Sequence, residues 1–169
     1  MELSFSPGWQ QHPTARYVLF GVLAGLANLA LLFMIISLLK LLPPELMGQS
    51  AAKAVFDANP NPFALFFSIV IFAPLFETLL AQLAPIEIAR KLGARKVICV
   101  ILSAFLFGLG HFLNGGLGHG LTTFCAGLVF AALYVNMRDE GPAASYWVTC
   151  IAHATNNFCM FFVILFFPD

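Results

Sequence analysis

Charged residues are what this sequence has least of. Only 9 % of its 169 residues are charged, whereas 60 % are hydrophobic, and a soluble domain would carry about 25 % charged residues. The eight acidic and eight basic side chains cancel, so no positive excess indicates a nucleic-acid partner. The composition therefore excludes an ordinary soluble domain, and the length and composition together predict one domain, residues 1–169, that folds in a lipid bilayer.

The usual short motifs of metal and redox sites are also missing. The His-Glu-x-x-His helix of zinc proteases is absent, and no C-x-x-C pair occurs. The four cysteines lie in apolar segments and are interpreted as small hydrophobic residues; they are Cys99, Cys125, Cys150 and Cys159. No basic stretch precedes the first apolar run, and that run is too long for a signal peptide, so we expect it to remain as a helix.

Long apolar runs dominate what is present. A helix that spans a bilayer needs about 20 mostly apolar residues. The candidate runs are Tyr17–Leu42, Phe63–Leu83, Val97–Leu113, Leu121–Met137 and Tyr146–Phe167. The third and fourth are short, and the glycines Gly115–Gly116 and Gly118–Gly120 indicate a tight link between them. The predicted fold class is all-α, a polytopic transmembrane helix bundle with about five spanning helices.

The basic residues predict how this bundle is oriented. Positive side chains near helix ends favour the cytoplasmic side of a membrane. Most of them would share one side of a five-helix bundle: Arg16, Arg90, Lys91, Arg95, Lys96 and Arg138. We therefore expect the N-terminus to be cytoplasmic and the C-terminus to be outside, with only Lys40 and Lys53 on the outer side.

The connection Pro43–Pro62 is then an extracytoplasmic loop. Its first residues, Pro43-Pro44-Glu45, resemble a helix start, with proline in the first turn and an acid near the positive end of the dipole. A weak apolar stripe follows, formed by Leu46, Met47, Ala51, Ala54 and Val55. The loop is predicted to include a short interfacial helix, which acts either as a lid over the bundle or as a plain tether.

Ionisable side chains lie inside three of the apolar runs, where they are rare and usually mark function. Glu77 and His111 stand 16 residues before Gly93 and 17 residues after Ala94, so at ~1.5 Å per residue both lie ~25 Å from the same hairpin. His153 and Asn157 share one helix face and lie at ~18 and ~24 Å from the turn at residue 141. These side chains are therefore predicted to form one layer within the bundle.

A carboxylate and two histidines permit two related chemistries. Glu77, His111 and His153 could bind Zn²⁺ as a His₂Glu set with water in the open position. Alternatively, Glu77 acts as general base on a water held by His111, while His153 and Asn157 donate to the developing oxyanion. Both lead to hydrolysis of an amide bond in the membrane. In a third scheme His111 and His153 are the axial ligands of a haem, which leaves Glu77 and Asn157 without a role.

Two further histidines are placed outside this layer. His119, near the outer end of the fourth run, is interpreted as an interfacial or helix-start group, with a functional role as the less favoured alternative, and His12 as part of the exposed N-terminal tail. Gly21-x-x-x-Gly25 in the first run permits close helix contact. That contact could lie within one chain or between two chains, so the oligomeric state is open.

The polar residues fall into three motifs in a fixed order. Glu77–Gln82 aligns with Glu-Glu-x-x-x-Arg, Phe107–His111 matches Phe-x-x-x-His, and His153–Asn157 matches His-x-x-x-Asn. From about Phe63 to Phe166 the chain resembles the CPBP intramembrane proteases, which include CAAX-processing endopeptidases and bacteriocin-processing or immunity proteins. The resemblance implies a catalytic core at about residues 63–167 and a location in the cytoplasmic membrane of a bacterium or archaeon.

The resemblance also implies roles for individual residues. Glu77 and His111 would activate water, and His153 and Asn157 would stabilise the oxyanion. The residues expected to support these or to bind substrate are Phe107, Thr78, Gln82 and Asn156. The expected substrate is a membrane-anchored or membrane-inserted peptide or protein, with the lipid bilayer as surroundings. No cofactor is favoured, and zinc is the alternative.

The first motif departs from the family at two positions. Thr78 stands where the family has its second Glu, and Gln82 stands where it has Arg. The departures leave open a divergent subfamily, a different substrate, or a non-catalytic membrane binding or immunity protein that keeps the protease fold.

Overall fold

The computed structural model describes residues 13–48 and 61–166, and every regular element in these ranges is helical. The elements are α1 (Pro13–Leu39), α2 (Pro44–Met47), α3 (Pro62–Lys91), α4 (Lys96–Asn136), a 3₁₀ turn (Arg138–Glu140) and α5 (Pro142–Phe166). Among the described residues four helices, α1, α3, α4 and α5, are long and apolar enough to cross a membrane. The predicted all-α polytopic bundle is confirmed.

Helix α4 is a helical hairpin rather than a single rod. Gly116 has φ 76° and ψ −170° in the middle of it, a conformation that favours glycine. A Cβ on Gly108 would lie 2.7 Å from Phe124, and a Cβ on Gly120 would lie 2.6 Å from Phe112. The first arm (residues 96–115) and the second arm (residues 117–136) therefore run antiparallel in close contact. They correspond to the two short predicted runs, and the chain crosses the bundle five times.

Helix α3 widens in two places. Phe67–Phe72 and Thr78–Leu83 form π-helical turns, in which an N–H bonds the carbonyl five residues earlier. Pro74 and Pro85 each stand two residues beyond one of these segments. Because proline has no N–H, α3 carries carbonyls that need a donor from outside the helix. Glu77 lies between the two π segments.

Helices α1 and α5 pack closely along the Gly-x-x-x-Gly motif. A Cβ on Gly21 would lie 2.6 Å from Ile151, and a Cβ on Gly25 would lie 2.5 Å from the Ala152 carbonyl. The absence of side chains at both glycines therefore lets α1 approach the α5 backbone. The motif serves packing within the chain, which is one of the two alternatives, contact within one chain or between two chains, that the sequence left open.

Ion pairs join several helices at one end of the bundle. Arg16 at the start of α1 donates to Glu140 at 2.7 Å. Arg138 donates to Glu87 of α3 through two nitrogens, at 2.6 and 3.0 Å. The start of α1, the end of α3 and the turn between α4 and α5, which the sequence predicts on one side of the membrane, therefore lie together at one end of the bundle. That this side is cytoplasmic stays a prediction.

The connection after α1 begins with the short helix α2. The last residue of α2 and the glycine after it contact the bend of α4: a Cβ on Gly116 would lie 2.9 Å from the Gly48 Cα, and one on Gly118 would lie 3.2 Å from the Met47 sulfur. Most of the predicted apolar stripe falls in residues 49–60, and His12 falls in residues 1–12, both outside the described ranges. The choice between lid and tether is therefore still open.

Candidate active site

Three helices bring one carboxylate and two imidazoles together. The Oε2 of Glu77 on α3 lies 3.8 Å from Nε2 of His111 on the first arm of α4. The same oxygen lies 3.5 Å from Nε2 of His153 on α5. The three residues that the sequence placed in one layer are thus neighbours, with the carboxylate between the two rings.

The protonation of His111 follows from its backbone contact. Its Nδ1 lies 2.9 Å from the Phe107 carbonyl, and a carbonyl oxygen can only accept. Nδ1 therefore carries the proton, and in the neutral ring Nε2 keeps its lone pair. It is this lone pair that faces Glu77. The His111 side chain is 23 % exposed and that of Glu77 is 34 % exposed, so this part of the site is open to small molecules.

His153 is enclosed, with only 3 % of its side chain exposed. The ring of Phe130 stacks on it at 4.8 Å with an interplanar angle of 27°. Phe107 meets it edge-on at 5.6 Å and meets His111 edge-on at 4.6 Å. Phe107, predicted from the second motif, therefore contacts both imidazoles. Phe130 was not singled out in the sequence, because a phenylalanine in an apolar run carries no distinguishing signal.

Thr78 contacts the other nitrogen of His153. Its Oγ1 lies 3.5 Å from Nδ1, and the residue is completely buried. When the hydroxyl donates, Nδ1 is the acceptor and the proton of the neutral ring sits on Nε2, which faces Glu77. The residue that replaces the second Glu of the family motif thus contacts the imidazole of α5.

Asn157 is fixed by an unusual carbonyl on α3. Its Nδ2 donates to the Ile69 carbonyl at 3.0 Å. In this π segment the Ala73 N–H bonds the Ser68 carbonyl, so the next donor in register would be the N–H of Pro74, which does not exist. Asn157 therefore supplies the hydrogen bond that the proline cannot. Its side chain is turned toward α3, one helical turn beyond His153.

Other side chains of the bundle also donate to the irregular backbone of α3. Tyr146 on α5 donates to the Leu75 carbonyl at 3.0 Å. Ser103 on α4 donates at 2.6 Å to the carbonyl of Ala81, which precedes Pro85 by four residues. Proline-freed and π-helical carbonyls are thus satisfied from neighbouring helices, as a membrane interior requires. These bonds hold the segment that carries Glu77.

Two asparagines extend the contact from Asn157 to α1. Asn156 donates from Nδ2 to the Asn157 Oδ1 at 3.3 Å, and Asn28 donates from Nδ2 to the Asn156 Oδ1 at 3.0 Å. Asn28 was not among the residues predicted from the sequence. The signal that could have found it is its position seven residues after Gly21 and three after Gly25, on the same face of α1.

Gln82 makes no hydrogen bond to Glu77 in the part of the chain that the structure describes. The residue is completely buried, and within residues 13–48 and 61–166 neither its Oε1 nor its Nε2 has a hydrogen-bond partner. It follows Thr78 by one helical turn. Its predicted supporting role stays a prediction.

His119 lies beside the site, three residues after Gly116 at the start of the second arm of α4, so its interpretation as a helix-start group and its position beside His111 are compatible. Its ring packs edge-on against His111, with centroids 5.0 Å apart. The contact arises because residues before and after Gly116 face each other across the hairpin. Recognising that the two arms pack against each other would have predicted that His119 lies near His111.

The zinc alternative rests on the same three residues. Among the residues that the structure describes, no group of three His, Cys, Asp or Glu side chains has the arrangement of a metal site. The Glu77 oxygen is near both imidazole nitrogens at 3.5 and 3.8 Å. Whether the protein uses a metal stays a question for experiment.

Comparison with known families identifies the family of the segment that contains these residues. The family model "type II CAAX prenyl endopeptidase Rce1-like" matches residues 59–159, more than half of the chain. The matched segment contains α3, α4 and most of α5, and with them the carboxylate, both imidazoles and Asn157. No curated protein and no solved structure matches the chain. The chain belongs to the Rce1-like family of type II CAAX prenyl endopeptidases and is an integral-membrane member of a protease family.

Proposed function

We propose that this protein is an intramembrane endopeptidase that hydrolyses a peptide bond of a membrane-anchored substrate, with Glu77 as general base. The observation that carries the proposal is the placement of the Glu77 carboxylate between His111 and His153, at 3.8 and 3.5 Å. Placing an acid and two imidazoles in an apolar bundle costs free energy, and groups of this kind in membrane helices usually mark function. Family membership supports the same class of reaction.

The Glu77 and His111 side of the site suits activation of water. The unprotonated Nε2 of His111 can accept one hydrogen bond from a water molecule, and Glu77 can take a proton from it. The water oxygen then bonds the substrate carbonyl carbon, and the carbonyl oxygen becomes an oxyanion. Glu77 returns the proton to the leaving nitrogen as the carbon–nitrogen bond breaks, so the enzyme ends in its starting state.

The His153 and Asn157 side suits stabilisation of the oxyanion. With Thr78 donating to Nδ1, the His153 Nε2–H is directed into the site. Asn157 uses one amide hydrogen on the Ile69 carbonyl and has a second one left. Donors held rigidly where negative charge develops contribute about 3–4 kcal/mol to the stability of such a transition state.

The exposed side of the site gives access to a substrate in the membrane. Glu77 and His111 are partly exposed, while His153 is not. Gly110, adjacent to His111, is open: a Cβ built on it meets nothing within 4 Å. An extended peptide segment could therefore approach along the first arm of α4 without displacing a side chain at this position.

A non-catalytic binding or immunity protein is the second candidate. It is favoured by Thr78 and by Gln82, whose amide has no hydrogen-bond partner among residues 13–48 and 61–166, because both stand where the family motif has charged residues. In this scheme protection or binding would survive alanine substitution at His111 and His153. In the protease scheme it would not.

The deciding experiment compares wild type with Glu77→Gln in detergent, using a pooled library of membrane-anchored peptides read by mass spectrometry. Loss of the general base is expected to lower cleavage by about 10³-fold or more, while the control Glu45→Gln, on the short helix α2, cleaves as wild type does. Glu77→Gln cleavage at the wild-type rate, in folded protein, would contradict the proposal.

Metal content is measured on the same samples. We expect wild type stripped by a chelator to retain its activity, since the proposed base is a carboxylate acting directly on water. Activity that disappears with the metal and returns with added zinc would keep the protease and replace the general-base step by metal activation.

A further inference from the structure

An unbroken line of side-chain amides connects α1 to the site. It consists of Asn28, Asn156 and Asn157, and it ends on the Ile69 carbonyl of α3, with donor–acceptor distances of 3.0, 3.3 and 3.0 Å in that order. We propose that Asn28 is a positioning residue that acts on the oxyanion donor Asn157 through Asn156. The inference rests on the proposed function, and it adds a residue outside the family match at 59–159.

The direction of the line is fixed at the α3 end. The Ile69 carbonyl can only accept, so Asn157 must turn its Nδ2 toward it and its Oδ1 away. That oxygen then requires a donor, which Asn156 supplies from Nδ2. Asn156 in turn presents its Oδ1 to the Nδ2 of Asn28. The proline-freed carbonyl thus sets the orientation of three amides in succession.

Asn28 is the last residue at the other end of the line, and within residues 13–48 and 61–166 its buried Oδ1 has no hydrogen-bond partner. If its donor is removed, the Asn156 amide can turn over and place an oxygen against the Asn157 oxygen. Two acceptors cannot bond, so Asn157 would lose the partner that fixes the plane of its amide. Its second hydrogen, the one available to the oxyanion, would then no longer have a fixed direction. A displaced donor costs rate even when the protein stays folded.

The packing of α1 indicates that the contact between Asn28 and Asn156 is a specific feature of the fold. Asn28 is fully buried and Asn156 is 6 % exposed. The amide reaches α5 because Gly21 and Gly25, on the same face, bring the two backbones together. Simple adhesion between the helices would need only one hydrogen bond. Here a second hydrogen bond continues from Asn156 to Asn157, and a third joins Asn157 to the Ile69 carbonyl.

The test is a double-mutant cycle on the full chain in detergent. Asn28→Leu removes the amide with similar volume, and Asn157→Ala removes the oxyanion donor. We expect Asn28→Leu to lower kcat about tenfold with little change in KM, and to lower it no further when Asn157→Ala is already present. Asn28→Ala is the second variant in case Asn28→Leu does not fold. Leu32→Ala, one turn along the buried face of α1, controls for loosening of that helix.

The outcomes separate the inference from the proposed function. Wild-type kcat for Asn28→Leu, or an equal loss with and without Asn157→Ala, would overturn the positioning role. The same loss of kcat in Leu32→Ala would also overturn it, because it would make the effect one of packing. Wild-type kcat for Asn157→Ala would instead remove the oxyanion role in the proposed function.

Discussion

The two imidazoles that flank Glu77 are held in very different ways. His111 is 23 % exposed, and its polar contact besides Glu77 is a bond to its own helix, at the Phe107 carbonyl. His153 is 3 % exposed, stacked on Phe130 and contacted at Nδ1 by Thr78. The carboxylate thus separates an open side from an enclosed one.

The difference in exposure matches the role that is proposed for each side of the site. Water and substrate must enter and leave on the side where the reaction begins, so a general base and its helper need access. Groups that stabilise developing charge work best when they do not reorganise during the reaction. The enclosed side is held by residues of α1, α3, α4 and α5 together, which makes it the part where packing and catalysis depend on the same residues.

The largest expected effects come from alanine substitution of the two histidines, and the stability of the folded protein is expected to distinguish the two variants. His111→Ala and His153→Ala should each lower kcat by about 10³-fold, which lies within the range for a lost acid–base or oxyanion group. Only His153→Ala should also destabilise the protein, by about 3 kcal/mol, because it leaves a cavity beside Phe130. Thermal unfolding of both variants in one detergent measures this. Equal stabilities would show that the enclosed and open sides do not differ in packing.

A smaller effect is expected from the hydroxyl of Thr78. Thr78→Val keeps the shape but removes the donor to His153, and we expect kcat to fall about tenfold, equivalent to ~1.4 kcal/mol for one lost hydrogen bond. Thr78→Ser keeps the hydroxyl and should retain most of the activity. If both variants behave alike, Thr78 is a packing residue and the tautomer of His153 is set in another way.

Much of the fold follows from composition and periodicity. Long apolar runs predicted the helices, and the glycines around Gly116 predicted the break between two short runs. Helix α1 begins at Pro13 rather than Tyr17 and ends at Leu39 rather than Leu42, since hydropathy marks the apolar part of a helix and not its ends. The π segments of α3 were not predicted. Pro74 indicates that one backbone donor is missing, but it does not indicate which hydrogen-bond register the surrounding backbone adopts.

The site could be predicted wherever a residue type is rare in its surroundings. Glu77, His111 and His153 stand out in apolar runs, and counting along helices placed them at one level. Asn28 and Phe130 could not be found in that way. An asparagine in a membrane helix usually forms a hydrogen bond to a neighbouring helix, and phenylalanine is a common residue in such helices. Their contribution depends on which helices are neighbours, which is a property of the whole bundle.

The smallest expected effect concerns His119, and it tests whether the open side has a third polar group. Its ring contacts His111 edge-on at 5.0 Å, a type of contact worth about 0.5–1.5 kcal/mol. If the ring only supports His111, His119→Phe should keep kcat within about threefold and leave its pH dependence unchanged, while His119→Ala should lower kcat somewhat more. A loss of 100-fold in His119→Phe would mean that a proton passes through this ring. The open side would then hold three functional groups, and access to water alone would not explain why it is less tightly packed than the enclosed side.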